Sequence, residues 1–425
     1  MRLLRSRSML DRHLRTAFRL AGFATLLLAA SLLPAPLAAQ PAATAPELHG
    51  HRRTIGDVDV LFLRGTPRER GFTEGYLMAE ELQALFRSFA MSKQVCPQPL
   101  LWNLVYLPKV RTTVRVPERT REYLEGLIEG VDARDPLLLE IPELRRDLTA
   151  DDLLVVATIP DLVGFACSSF AAWGDEAAGE GPVVGRNLDY FATPGLLERT
   201  MLVVHAPDGE RAGWVGVGWP GVAGCLTGFS DRGVSIAIHD VGAKAVDGET
   251  VTPRPVALQE ILERLRPGSD AAAAAASIAR ESRFAMGGNA MVAWRETPGA
   301  VVLELHPAAD KAAGVTPRGP VDDATWLTCT NHHRARVEPH RRCWRFEALG
   351  EGLGDLDALD IPAAWQLIGR SEVGGTLYQC VADLASGEFG VRLRRKKGED
   401  AWDRVDGLTV GDLVREAVRG PDSER

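Results

Sequence analysis

The sequence predicts a mixed α/β protein in which two β-sheets lie stacked between helices, preceded by a mostly helical segment. Apolar residues recur at helical spacing through much of residues 47–166. The pattern changes after Cys167, where short β-rich runs alternate with turns rich in glycine, proline and aspartate. Because these runs flank a central pair of helical stretches, at 256–265 and 271–279, the pattern favours a sandwich of two sheets over alternating parallel βαβ units.

The predicted helical segment begins with one strand. Residues 57–63 alternate apolar and polar side chains and then become apolar, as in a strand that enters a core. Helical spacing follows over 68–91, and Pro117 with the acidic residue after it indicates the start of a second helix. Thr149 and Asp152 have the spacing of a capping box, which predicts the start of a third helix.

The later part of the chain is predicted to be rich in strands. The β-rich runs lie at 168–173, 183–188, 201–205, 214–217, 234–239, 290–294, 300–305 and 325–330. Further helices are predicted at 342–349, 363–368 and 410–418, with a hairpin at 377–393.

Residues 1–39 have the composition of a signal peptide. Six arginines precede an uncharged apolar run from Leu20 to Leu33. Small residues end the segment at Ala39, so cleavage before Gln40 is expected. An uncleaved membrane anchor is the alternative, because the uncharged stretch nearly reaches the length of a membrane span. In either case we expect the rest of the chain to be exported, in the periplasm or outside the cell.

The net charge argues against a nucleic acid partner. The 425 residues include 49 Lys and Arg against 57 Asp and Glu, a formal charge of −8. Loss of six arginines and one aspartate with residues 1–39 would lower this to −13. Because binding to a phosphate backbone needs a basic surface, no nucleic acid partner is expected.

Cys167 carries the strongest functional signal among the six cysteines. The cysteines lie far apart without CxxC spacing, which excludes a zinc ribbon. A lone cysteine beside small residues is usually a buried apolar side chain. Soon after it, however, Arg186 and Asp189 interrupt an otherwise apolar strand, and buried charges must be paired or functional.

These residues resemble the N-terminal-nucleophile (Ntn) cysteine hydrolases of the penicillin acyltransferase family (acyl-CoA:6-aminopenicillanic acid acyltransferase). The related group of acid ceramidase and N-acylethanolamine acid amidase shares the pattern. The main motifs are CSSF from Cys167 and GRNLDYF from Gly185. Shorter matching segments are GTPRERG from Gly65, LTGF from Leu226, GGN from Gly287 and TNH from Thr330. Each motif is short, so their common order carries the resemblance.

The resemblance implies a four-layer αββα Ntn-hydrolase sandwich that cuts itself between Ala166 and Cys167. Residues 40–166 would form a helical pro-segment or α-chain, residues 167–425 the catalytic β-chain, and the two would remain associated. Cys167 would be the nucleophile, and its freed α-amine, with an ordinary pKa of about 7.7–8.0, would be its base. The implied reaction is cleavage of a linear, non-peptide amide bond in a small N-acyl compound, through a thioester on Cys167 and without a cofactor.

The resemblance also implies roles for residues far from Cys167 in sequence. Arg186 would hold the substrate or the amino terminus, and Asp189 would bond the terminal amine. Asn331 would donate its amide N–H to the developing oxyanion. Either Arg341 or Arg342 matches a later arginine that closes the site.

Asp240 is a further candidate site residue, at a position where the ceramidases have glutamate. His239 before it and the pair His332 and His333 depart from the family pattern. A zinc site formed with His340 is the metal alternative. We expect no metal, because adjacent residues of a strand point to opposite faces and no acidic partner has fitting spacing.

Two other functions remain open from the sequence. The same site could pass the acyl group to an amine acceptor instead of water. The chain could also be a non-catalytic extracellular binding protein on this scaffold. Membrane contact is expected only through an uncleaved anchor or a lipid substrate.

Overall fold

Two β-sheets form the centre of the fold. The computed structural model describes residues 46–161, 164, 166–177, 181–191, 193–243, 249–308, 313–337, 341–356, 358–396 and 401–420. The strands are β1 (Gly50–Ile55), β2 (Val58–Gly65), β3 (Glu140–Ile141), β4 (Arg146–Asp147), β5 (Ala166–Ala172), β6 (Val183–Asp189), β7 (Met201–Pro207), β8 (Trp214–Gly218), β9 (Thr227–Ser230), β10 (Val234–Val241), β11 (Gly287–Trp294), β12 (Gly299–Leu305), β13 (Val315–Arg318), β14 (Trp326–Cys329), β15 (Thr376–Asp383), β16 (Glu388–Arg394) and β17 (Trp402–Thr409).

Helices cover the sheets and fill most of the segment before β5. They are α1 (Pro67–Leu77), α2 (Ala79–Leu85), α3 (Pro99–Leu101), α4 (Leu107–Thr113), α5 (Glu118–Arg134), α6 (Ala150–Thr158), α7 (Pro194–Arg199), α8 (Arg254–Arg264), α9 (Ala271–Ala279), α10 (Trp344–Gly354), α11 (Ile361–Gly369) and α12 (Val410–Arg419). Shorter π-helical turns lie at Phe86–Ala90 and Trp102–Tyr106, and 3₁₀ turns at Pro136–Leu139, Ile159–Asp161 and Gly174–Glu176.

One sheet of the described chain has nine strands in the order β1-β2-β7-β8-β9-β10-β11-β12-β13, and the other has six in the order β14-β5-β6-β15-β16-β17. Neighbouring strands run antiparallel except β2 and β7, which are parallel. Apart from this one pair, both sheets are antiparallel. A parallel pair needs a long crossover connection, and the helical segment between the two strands supplies it.

The two sheets share one apolar core, which confirms the predicted sandwich. Ile236 and Ala290 of the nine-stranded sheet belong to the same buried cluster as Leu188 and Cys380 of the six-stranded sheet. On the outer face of the six-stranded sheet, a second cluster packs α10 and α11 against β5, β6 and β15. Helices α8 and α9 contribute to the first cluster from the nine-stranded side, so helices flank the paired sheets.

The helices α1 and α5 pack so closely that four glycines are required at their contact. A Cβ on Gly71 or Gly75 would stand 2.0 Å from a backbone oxygen of α5. Likewise, a Cβ on Gly126 would stand 2.3 Å from a backbone oxygen of α1, and a Cβ on Gly130 would stand 2.0 Å from another. These four glycines, of which Gly71 ends the GTPRERG motif, thus allow the close packing of α1 against α5.

Capping boxes begin two helices of the segment before β5. Thr149 accepts a hydrogen bond from the backbone of Asp152, whose carboxylate accepts one from the backbone of Thr149, so the predicted capping box is confirmed. Thr66 and Glu69 form a second capping box at the start of α1. The edge strand β1 was not predicted, because its sequence GHRRTI lacks an apolar alternation.

The predicted signal peptide, residues 1–39, lies outside the described residues. Among the described helices, none combines the length and the apolarity that a membrane crossing requires.

Candidate active site

Cys167 is the second residue of β5 and is completely buried (0% exposed). Its backbone N–H donates a hydrogen bond of 2.7 Å to Oδ1 of Asn331. In the uncut chain this nitrogen belongs to the Ala166–Cys167 peptide bond. Ala166 pairs with Asp189 in the register of β5 and β6 and is exposed, so the chain enters the buried site from the surface at this bond.

Arg186 lies on β6 beside Cys167 and is 3% exposed. Its Nε donates to Oγ1 of Thr227, which is also 2.8 Å from the hydroxyl of Tyr378. Its two terminal nitrogens are buried without an oxygen or nitrogen acceptor in the described part of the chain. Buried donors without an oxygen or nitrogen acceptor are costly, so this guanidinium can interact with the Cys167 thiol or bind an oxygen of a ligand.

Burial favours the protonated form of the Cys167 thiol. Burial raises the pKa of this thiol to about 11, and the positive charge of Arg186 offsets only part of the increase. Removal of the proton therefore requires either a base or a change in solvent access.

Asp189 ends β6 and has few hydrogen-bond donors for a buried carboxylate. Thr376 donates to Oδ1 at 2.6 Å, and Arg345 donates to Oδ2 at 3.0 Å. Burial raises the pKa of Asp189 to about 6, and the contacts with Thr376 and Arg345 offset only part of this.

The arginine that reaches the site is Arg345, whereas Arg341 and Arg342 had been expected. Besides Asp189, Arg345 contacts Oδ1 of Asn331 at 2.9 Å. Arg341 is exposed, and the side chain of Arg342 is 92% exposed beside Glu347. The helix that carries Arg345 begins at Trp344, two residues later than predicted, and this places Arg345 in its first turn.

Asn331 follows β14 and connects several parts of the site. Its Oδ1 accepts from Cys167 and Arg345, while its Nδ2 donates to the backbone oxygen of Asp240 at 2.9 Å. The amide N–H that the resemblance assigns to an oxyanion is thus held by a backbone carbonyl in the uncut chain.

Two buried side chains to which the sequence analysis gave no role hold the loop around Asn331. The amide of Asn289, on β11, donates to the backbone oxygens of Thr330 and His332 at 2.8 Å and 3.0 Å. The carboxylate of Glu304, on β12, accepts from the three successive backbone N–H groups of residues 334–336. Asn289 belongs to the GGN motif, but nothing in the local sequence indicated a role for Glu304.

Asp240 is 4% exposed and lies 2.6 Å from a guanidinium nitrogen of Arg254. The neighbouring His239 turns into the space between the sheets, where its Nε2 is 2.8 Å from Oγ of Ser169. His333 is buried with Nε2 3.2 Å from the backbone oxygen of Gly288. Among the described residues, which do not include His340, no three His, Cys, Asp or Glu side chains are grouped to hold a metal ion.

No family profile matches the chain. An uncharacterized protein of Archaeoglobus fulgidus is 28% identical over 199 residues, which are 43% of this chain and 33% of that protein. Protein dcd1B of Dictyostelium discoideum is 25% identical over 215 residues, which are 45% of this chain and 41% of that protein. The matches thus span well under half the length of these curated relatives.

Several solved structures have a similar chain trace at low identity. An N-acylethanolamine-hydrolyzing acid amidase ortholog from Caenorhabditis elegans is 18% identical with a TM-score of 0.40, covering 52% of this chain and 93% of that chain. A penicillin V acylase from Agrobacterium tumefaciens is 10% identical with a TM-score of 0.40, covering 56% and 86%. These values are too low to assign an activity to this chain.

Proposed function

We propose that the chain is a self-processing cysteine amidohydrolase of the N-terminal-nucleophile type. It would cleave a linear, non-peptide amide bond of a small N-acyl compound through a thioester on Cys167. The observation that carries the proposal is the set of polar contacts around the backbone nitrogen of Cys167. Asn331 accepts from this nitrogen, and Arg345 joins Asn331 to Asp189. A cysteine that only fills the core would need no such group of buried charges around its backbone.

Self-cleavage would begin with attack of the Cys167 sulfur on the carbonyl carbon of Ala166. The S–C bond forms, the C–N bond breaks, and the thiol proton passes to the departing nitrogen. Water then hydrolyses the thioester, which leaves a carboxylate on Ala166 and a free α-amine and thiol on Cys167. The segment 40–166 and the segment 167–425 become two chains.

In turnover, the new α-amine would take the thiol proton, since its ordinary pKa is about 7.7–8.0. The sulfur attacks the substrate carbonyl, the amine product leaves with the proton, and water releases the acyl group from the thioester. Asp189 and the Oδ1 of Asn331 are the acceptors that would orient the α-amine. The buried terminal nitrogens of Arg186 would bind an oxygen of the substrate or stabilise the thiolate.

The acyl-enzyme chemistry and the negative net charge of the chain support the proposed substrate class. A small N-acyl amide needs only a thioester-forming carbonyl and a leaving amine, and the negative net charge gives no support to polyanionic substrates. Export through the segment at residues 1–39 belongs to the same proposal.

The experiment is intact mass and N-terminal sequencing of the full chain, of Cys167→Ala, and of Cys225→Ala as a control for loss of another buried thiol. We expect a fragment that begins at Cys167 in the parent and in Cys225→Ala, and a single chain in Cys167→Ala. A persistently uncut parent would contradict self-processing and favour the binding-protein alternative.

Turnover is tested on a panel of N-acyl amides that release a fluorescent amine, with products identified by mass spectrometry. A competing amine such as hydroxylamine separates the two reactions. Free acid as the main product supports hydrolysis, whereas an acylated acceptor at low acceptor concentration would show acyl transfer.

A further inference from the structure

Arg254 opens α8 and is completely buried, and its guanidinium contacts separate segments of the chain. Its Nε and its backbone N–H both donate to the carboxylate of Asp161, the latter at 3.1 Å. Its Nη2 lies 2.6 Å from Oδ1 of Asp240. Its Nη1 donates to the backbone oxygen of Gly287 at 2.7 Å. The group formed by Asp161, Arg254 and Asp240 is called the Arg254 clamp below.

The backbone around the Arg254 clamp leaves room for the guanidinium. A Cβ on Gly288 would stand 2.6 Å from Nη1 of Arg254. A Cβ on Gly287 would stand 2.5 Å from the backbone oxygen of Val241. The glycine pair of the GGN motif therefore allows β10 and β11 to close around this side chain.

The Arg254 clamp holds the chain on the upstream side of the proposed cut. Asp161 ends a 3₁₀ turn six residues before Cys167, and its side chain is 4% exposed. At the cut itself, β5 pairing holds Ala166, the last residue before the bond, opposite Asp189. The connection between these two fixed points is only four residues long.

The clamp also lies close to this connection at Gly164. The carboxylate Oδ2 of Asp240 lies 3.8 Å from the position that a Cβ on Gly164 would take. The backbone oxygen of Asp240 accepts from Asn331, and Asn331 in turn accepts from the backbone N–H of Cys167. One residue thus separates the clamp from the nitrogen of the bond to be cut.

We infer that Asp161 and Arg254 are positioning residues for self-cleavage, which fix the segment before Ala166 so that its carbonyl carbon meets the Cys167 sulfur. This inference rests on the proposed function. Neither residue touches the reacting atoms, and no covalent step passes through them. Fixing both ends of a short connection removes conformational freedom before the reaction, which is how positioning lowers a barrier.

The inference separates self-cleavage from later turnover. Asp161 remains with the upstream chain after the cut and makes no hydrogen bond or ion pair with Cys167, Arg186, Asp189 or Asn331 among the described residues. Asp161→Asn, which keeps the shape but loses the charge, should slow self-cleavage about tenfold to a hundredfold. The turnover number per cut molecule should stay within about twofold of the parent, because the chemistry at Cys167 is unchanged.

The matched control is Asp152→Asn. Asp152 is also a fully buried carboxylate of the upstream segment that pairs with an arginine, Arg146. It belongs to the start of α6 and makes no hydrogen bond or ion pair with the Arg254 clamp among the described residues. The three full-length chains are made by cell-free synthesis, and cutting is followed by intact mass over time, with melting temperatures measured in a Cys167→Ala background.

Slow cutting of Asp161→Asn beside parent-like cutting of Asp152→Asn would support the inference. Equal rates for Asp161→Asn and the parent would overturn it, and so would equal slowing by both variants, since that would be a general effect of destabilisation. A parent that is never cut overturns the proposed function instead.

If Asp161→Asn does not fold, Asp161→Glu serves as a second variant. It keeps the charge of Asp161 but moves the carboxylate by one methylene. Slower cutting at an unchanged melting temperature supports the positioning role, and cutting at the parent rate contradicts it.

Discussion

Asp152 and Asp189 are both buried carboxylates that pair with an arginine, but their surroundings differ. Asp152 accepts five hydrogen bonds, from Arg146 twice, Thr149 twice and Trp102. Asp189 accepts from only Thr376 and Arg345 among the described residues. A buried carboxylate with all its lone pairs occupied serves the fold, whereas one with spare acceptor capacity can bind a further donor, such as a new α-amine.

The pKa values of the two groups shift in opposite directions. Burial alone would raise the pKa of Asp152, but the hydrogen bonds from Arg146, Thr149 and Trp102 lower it below its ordinary value. Burial raises the pKa of Asp189 to about 6, because its donors are fewer. The difference marks Asp152 as structural and Asp189 as a group whose ionisation can be coupled to a reaction.

The largest expected effect separates the two carboxylates by activity. Asp189→Asn should lower amide turnover per cut molecule about a hundredfold or more, because the α-amine loses its charged acceptor. Asp152→Asn should lower the free energy of unfolding by about 3–5 kcal/mol, because it leaves Arg146 without its buried partner. The measurements are the rate of cutting, turnover per folded molecule, and urea unfolding of both variants.

This assignment would be wrong if Asp189→Asn cut and turned over like the parent. It would also be wrong if Asp152→Asn lowered turnover per folded molecule as strongly as Asp189→Asn.

A smaller effect is expected in how the free energy of unfolding changes with pH. Because the pKa of Asp189 is raised on folding, the folded chain binds this proton more tightly than the unfolded chain between pH 4 and 6. The free energy of unfolding should therefore fall by about 3 kcal/mol as pH rises through this window. Asp152 behaves oppositely, since its lowered pKa gives stability that is complete above the unfolded value and is lost only as pH falls below it.

The measurement is urea unfolding between pH 3 and 7 in a Cys167→Ala background, which keeps the chain uncut. Adding Asp189→Asn should remove the decrease between pH 4 and 6, and adding Asp152→Asn should leave that decrease in place. An unchanged slope with Asp189→Asn would show that another group titrates there.

The difference between local and distant contacts in the sequence explains how much of the site could be predicted from the sequence. Cys167, Arg186 and Asp189 lie within two adjacent strands of one hairpin, so a short motif brings them together. Asn331 came only from the resemblance, because β14 reaches β5 from more than 150 residues away. Arg345 was missed because its placement depends on where α10 begins.

The fold was predictable for a related reason. Strand and helix periodicity in the catalytic segment is local, and it gave the two sheets and the flanking helices. The parallel joining of β2 to β7 was not predictable, because it depends on a pairing between residues about 140 positions apart. The Arg254 clamp was invisible for the same reason, since Asp161 and Arg254 are joined only by the folded chain.

The smallest expected effect comes from removing one hydroxyl beside each carboxylate. Thr149→Val should cost about 1 kcal/mol of stability at neutral pH, because it removes a helix cap and one of five donors to Asp152. Thr376→Val removes one of the few donors to Asp189 and should raise the pH midpoint of the stability change by about 0.7 units, equivalent to about 1 kcal/mol. The measurement is the same pH series in the Cys167→Ala background. If Thr149→Val moved that midpoint and Thr376→Val did not, the contrast between the two carboxylates would be reversed, because the midpoint would then report Asp152.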